Sequence, residues 1–99
     1  MNSVKIGPIT YDVKIVERLL NGDSGKLDGQ ISYSRQLIEL DSALCSDLQR
    51  QTLWHEIIHG ILTQSGRHDE VSDDVIDALA YGVFGVIKDN PEIADAELA

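Results

Sequence analysis

From residue 9 to residue 16 the chain alternates: Ile9, Tyr11, Val13 and Ile15 stand against Thr10, Asp12, Lys14 and Val16. A period of two is that of a strand with one buried face. A β-branched stretch, residues 4–6, precedes it, and Gly7-Pro8 interrupts the two. A second alternating region, residues 30–41, reads as a hairpin: Ile31 and Tyr33 lead in, Ser34-Arg35-Gln36 can turn, and Leu37, Ile38 and Leu40 return. Together these stretches predict a sheet of about three short antiparallel strands. Between them, Asn21-Gly22-Asp23-Ser24-Gly25 has the composition of a loop, and residues 17–20 continue the strand or turn into a short helix.

The period then changes to that of a helix. Ser46 with Gln49 three positions later is a capping-box pattern, and Leu48, Trp54, Ile58, Ile61 and Leu62 recur at helical spacing until Ser65-Gly66 can stop them. A second helix follows, capped by Asp69 or Ser72. Val75, Ile76, Leu79, Ala80, Val83, Phe84 and Ile87 form one broad apolar face, expected to be spent entirely on core packing. Asn90-Pro91 ends it, because a residue before proline avoids helical backbone. The acidic, Ala-rich tail 92–99 is expected to fray. The fold class is therefore α+β: a small sheet, then two helices, in a single domain over residues 1–99.

Composition removes several function classes. The chain has 99 residues, 42% of them hydrophobic, and a net charge of −9, which opposes nucleic acid and anionic membrane surfaces. No apolar run approaches the length of a membrane span. Gly22, Gly25 and Gly29 make no phosphate-binding pattern. Cys45 is the only cysteine, expected as a partly buried apolar residue, and it suits a reducing compartment. No basic segment followed by an apolar core opens the chain, so a cytoplasmic location is expected.

The candidate chemistry lies on the first helix, at His55-Glu56-Ile57-Ile58-His59. Residues i and i+4 share a helix face, so both imidazoles can ligate one metal ion. Glu56 lies to their side, where it can act on a water without being a ligand. This is the HExxH signature of zincins. A catalytic zinc takes three protein ligands and leaves a fourth position open. The candidates for the third are His68, Asp69, Glu70, Asp73, Asp74 and Asp77. A further histidine in the longer metzincin pattern is excluded, since Leu62 and Ser65 stand where that pattern needs Gly and His. By helical geometry Asp73 lies roughly 70° from the centre of the apolar face of its helix, closer than Asp77 or Glu70, while Asp74 points away. Asp73 is the favoured ligand, with Asp77 and His68 as alternatives. Asp77 can also accept a hydrogen bond from a ligating imidazole.

The order of strand, hairpin, Gln51-Thr52-Leu53-Trp54-His55-Glu56-Ile57-Ile58-His59 and an acid-led helix resembles the ImmA/IrrE-type metallopeptidases of bacteria and mobile elements, most of all their short phage-related members. In that family an acidic ligand opens the second helix in the pattern Glu-x-x-Ala-Asn-x-Phe-Ala. Asp73-Asp74-Val75-Ile76-Asp77-Ala78-Leu79-Ala80 is similar to it, which implies Asp73 as ligand and Asp77 as the Asn-like partner. Asp73 is shorter by one methylene than the usual glutamate, and the chain has no room for the recognition domain of larger members. The resemblance implies a minimal zincin core binding one Zn2+ through His55, His59 and Asp73, with Glu56 as general base. The expected activity is peptide-bond hydrolysis in a protein substrate such as a repressor of a mobile element. The hairpin would pair with the substrate, and Tyr81 or His68 could stabilise the oxyanion. A second expectation is a catalytically silent zinc-binding module that holds a partner without cutting it.

Overall fold

The computed structural model describes residues 1–17, 19 and 27–98. Four strands, β1 (Ser3–Ile6), β2 (Ile9–Val16), β3 (Gly29–Ser32) and β4 (Leu37–Asp41), are followed by two helices, α1 (Ser46–Gln64) and α2 (Asp73–Asp89), and a 3-10 turn at Ile93–Asp95. The strands form one mixed sheet in the order β1-β2-β4-β3, with β2 and β4 parallel and both outer pairs antiparallel. The α+β class holds, but the sheet has four strands and is not wholly antiparallel.

A local turn explains the additional strand. Gly7 adopts φ 55, a left-handed value that costs glycine little, and Pro8 pre-sets the next φ. The interruption is thus a two-residue hairpin turn that pairs Ile6 with Ile9 and makes β1 a separate strand. β2 pairs in parallel with β4, and β3 takes the outer edge beyond β4. The expected loop at residues 21–25 lies outside the described residues.

The core gathers Ile6, Tyr11, Ile38, Leu40 and Ile57, so it sits between one face of the sheet and α1. Close approach is built in at Gly60, where a Cβ would come within 2.8 Å of Ile6 Cδ1. Hydrogen bonds tie the same helix to the sheet: Gln64 Nε2 donates to the Tyr11 hydroxyl at 2.9 Å and Thr63 Oγ1 to the Tyr33 hydroxyl at 3.0 Å.

Helix ends follow their residues, with one correction. The expected capping box at Ser46 does not form. Cys45 is the N-cap and makes no side-chain cap bond, while Ser46 Oγ accepts from Arg50 Nη1 at 2.6 Å and Gln49 Nε2 donates to the Asp41 carbonyl at 3.3 Å. The guanidinium and the nearby strand carbonyl outbid the box. Cys45 itself is exposed, not partly buried. At the other end Gly66 (φ 75) allows Arg67 N to bond Leu62 O and Gly66 N to bond Thr63 O, the paired bonds of a Schellman stop. Ser72 caps α2 by accepting from Val75 N at 3.3 Å, so Asp73 is its first helical residue.

The broad apolar face of α2 is only partly used. Ile76 and Ala80 are buried, Val83, Phe84 and Ile87 are half-buried, and Val75, Leu79 and Val86 remain about half exposed. A single neighbouring helix covers a narrower arc than that face presents. The tail's 3-10 turn is exposed. Among the described residues, no helix is long and apolar enough to cross a membrane.

Candidate metal centre and its cleft

The antiparallel packing of α2 on α1 brings the start of α2 to the second half of α1 and so joins residues far apart in sequence. His59 Nε2 lies 3.0 Å from His55 Nε2 and 2.9 Å from Asp73 Oδ1, and His55 Nε2 lies 3.7 Å from the same carboxylate oxygen. One ligand atom from each residue falls within 4.8 Å of the others, and this group can hold a metal ion. Donor atoms roughly 2.0–2.1 Å from one tetrahedral ion lie about 3.3 Å apart. The three observed separations bracket that value.

The other nitrogen of His55 is also engaged. Its Nδ1 is 2.7 Å from Asp77 Oδ1. With the proton on Nδ1 the ring donates to Asp77 and presents its Nε2 lone pair to the centre, as second carboxylates do for metal-bound histidines. Asp73 and Asp77 thus divide the work one helical turn apart. His68 is not in the group; it is exposed and pairs with Asp69 at 3.2 Å. Glu70 is taken by Arg67 at 2.9 Å.

The two helices hold their shares of the site differently. Side-chain exposure is 15% for His55 and 29% for His59, but 76% for Asp73. The imidazoles are set into the fold, and the carboxylate closes the site from the solvent side.

Glu56 is buried at 6% exposure. Loss of hydration pushes its pKa up to about 7; the positive field of His55 opposes this, while the negative charges of Asp73 and Asp77 add to it. A carboxyl group beside the imidazoles and poised near neutral pH has the properties of a general base.

His55 and Glu56 open into a cleft of about 590 Å³ whose walls include Gly29, Gln51, Thr52 and Tyr81, and no lysine or arginine among the described residues lines it. Its floor meets the outer edge of the sheet. The Asp28 carbonyl accepts from Asp41 N at 2.8 Å, so in the antiparallel register residues 28, 30 and 32 bond toward β4. The peptide groups of Gly29 and Ile31 therefore face the free edge, where no described strand pairs with them. Periodicity did not reveal Gly29, Gln51 or Thr52 as cleft residues. The available signal was the isolated glycine in a strand pattern, which marks close backbone approach: a Cβ on Gly29 would lie 2.6 Å from Thr52 Cγ2.

No protein-family model, curated protein or solved structure matches the chain.

Proposed function

We propose that this protein is a zinc-dependent endopeptidase of the minimal zincin kind, similar to the ImmA/IrrE-type metallopeptidases, acting on a protein substrate in the cytoplasm. The observation that carries the reading is the convergence of His55, His59 and Asp73 on one point beside the buried Glu56. A purely structural metal site has no need of a desolvated carboxylate next to its ligands.

Zinc is the metal that suits two neutral imidazoles and a carboxylate with a position left open. When bound, it supplies the positive charge that acidifies a water molecule and polarises the scissile carbonyl. Glu56 takes the water proton and returns it to the leaving amine. Asp77 holds His55 in the ligating tautomer. An extended substrate adds to β3 through the free peptide groups of Gly29 and Ile31, which lays its backbone along the cleft. The Tyr81 hydroxyl, on the cleft wall, is the candidate oxyanion donor. A repressor protein of a mobile element is the substrate class that the family resemblance suggests.

The solvent exposure of Asp73 favours a second reading, a zinc-stabilised module that binds a partner without cutting it. Glu56→Gln separates the two. Zinc content by elemental analysis and cleavage of a denatured-protein or peptide library are measured on wild type and variant. The peptidase reading expects about one zinc per chain in both proteins and cleavage by wild type alone. Equal cleavage by the variant removes Glu56 from the chemistry, and zinc without cleavage in either protein supports the module.

A further inference from the structure

The pairing of β3 with β4 runs one residue beyond Gly29. Asp28 lies opposite Asp41, and its carbonyl accepts from the Asp41 amide at 2.8 Å, so its backbone is fixed. Its side chain is exposed and makes no hydrogen bond or ion pair with a described residue. The next alternate residues along the strand are engaged: Gln30 Nε2 donates to Glu39 at 2.8 Å, and Ser32 Oγ accepts from Arg35 N at 3.4 Å. Asp28 is the charge left over on this edge.

The cleft beside the strand has the same sign. Asp28, Glu56 and Asp77 line it, and no lysine or arginine among the described residues does. Asp77 is spent on His55. Glu56 is 6% exposed, lines the cleft, and makes no hydrogen bond with a described residue. A carboxyl group so placed takes its donors from whatever fills the cleft. Clefts lined by one sign of charge concentrate ligands of the other.

The edge geometry decides where a charge on the occupant falls. In antiparallel addition, a segment that exchanges hydrogen bonds with Gly29 and Ile31 places its next residue directly opposite Asp28. That pair is of the narrow, non-hydrogen-bonded kind, with Cα atoms about 4.5 Å apart and side chains at their closest. Opposite-charge pairs across strands stabilise, and like charges directly opposite destabilise. A lysine or arginine there meets the Asp28 carboxylate, and a glutamate is repelled.

We infer that the cleft selects an extended peptide segment carrying lysine or arginine, and that Asp28 is the residue that reads this charge. This rests on the proposed strand addition to β3, though not on cleavage. Gly29 lies against Thr52, three residues before His55 on α1. The selected residue therefore sits within about three residues of the point where the imidazoles converge.

Three dye-labelled octapeptides with blocked ends serve as probes: alternating threonine–lysine, threonine–glutamine and threonine–glutamate. Fluorescence anisotropy measures their binding, at low and high salt, to the zinc-supplied Glu56→Gln chain, which lacks the carboxylate proposed to cut them. The same chain is tested with Asp28→Asn or with Asp74→Asn added. Both aspartates are exposed and Asp74 lies outside the cleft, so the two variants differ in place and not in net charge. The lysine probe is expected to bind tightest and the glutamate probe weakest, with the order flattening at high salt. Asp28→Asn should weaken the lysine probe by about two- to fivefold and leave the glutamine probe unchanged, and Asp74→Asn should change neither. An equal loss from Asp74→Asn would mean attraction by the net charge of −9 alone, and would overturn the proposal. Lysine binding indifferent to Asp28→Asn, or no binding of any probe, would overturn it as well. Cleavage of the lysine probe is read separately on wild type: selective binding without cleavage keeps Asp28 in its role and removes the peptidase reading.

Discussion

The two helices face one another and share one site, yet they are held in opposite ways. α1 lies between the sheet and α2, buries Glu56, Ile57 and Gly60, and is tied to Tyr11 of β2 and to Tyr33 in the turn after β3. Among the described residues α2 packs chiefly on α1, buries Ile76 and Ala80, and leaves half of its apolar face exposed. Two metal-ligating candidates come from the anchored helix and one from the lightly held helix. A bound ion would therefore act as a staple, adding to α2 the attachment that packing alone does not supply. Precision resides in α1, and closure of the site in α2.

That contrast can be broken in graded steps. The largest effect should come from His59→Ala on the anchored side, which removes a donor that no neighbour replaces. Zinc affinity, followed by competition with a chromogenic chelator, should fall by more than the roughly 100-fold that bounds losses from outer partners. Asp73→Ala should come close to this and Asp74→Ala should leave affinity unchanged. Equal behaviour of the two aspartates would mean that α2 does not close the site.

The next effect concerns Glu56 in zinc-free protein. Burial raises its pKa from the ordinary 4.5 to about 7, so between these values the folded chain binds the proton more tightly than the unfolded chain. Stability from this group is then present at low pH and lost as pH rises through about 7. The loss is about 3 kcal/mol at most. Urea unfolding at pH 4.5 and at pH 8 should show Glu56→Gln gaining on wild type as pH rises. A difference independent of pH would mean that the carboxyl group is better hydrated than its position implies.

A smaller change is expected for Asp77→Asn, which keeps the shape but weakens the hold on His55 Nδ1: about 10- to 100-fold in zinc affinity, measured in the same competition. Smallest is Ser72→Ala. Loss of the cap on α2 should cost about 1 kcal/mol in thermal unfolding, and bound zinc should recover part of it if the ion staples the helix. An identical cost with and without zinc would remove the staple from the account.

Much of the site was legible before any fold was known, for definable reasons. His55, Glu56 and His59 sit within one turn of one helix, so their geometry is local. The stop at Ser65-Gly66 and the cap at Ser72 are local as well, and both formed as expected. The capping box at Ser46 failed because its partners were drawn away by Arg50 and by a strand carbonyl eight residues earlier. The wheel ranked Asp73 first but could not separate it from Asp77 by distance. In the structure both meet the imidazoles, on different nitrogens.

The sequence by itself determined the two helices, the stop at Ser65-Gly66, the cap at Ser72 and the placing of two histidines on one face, because those depend on interactions spanning a few residues. Tertiary structure alone decided what depends on long loops and on neighbours. It made β2 and β4 parallel, turned the peptide groups of Gly29 and Ile31 to an edge that no described strand covers, and buried Glu56. It also chose which half of the α2 apolar face would be covered. A helical pattern shows that a face is apolar, but burial requires a second surface to meet it, and α1 is wide enough to meet only half.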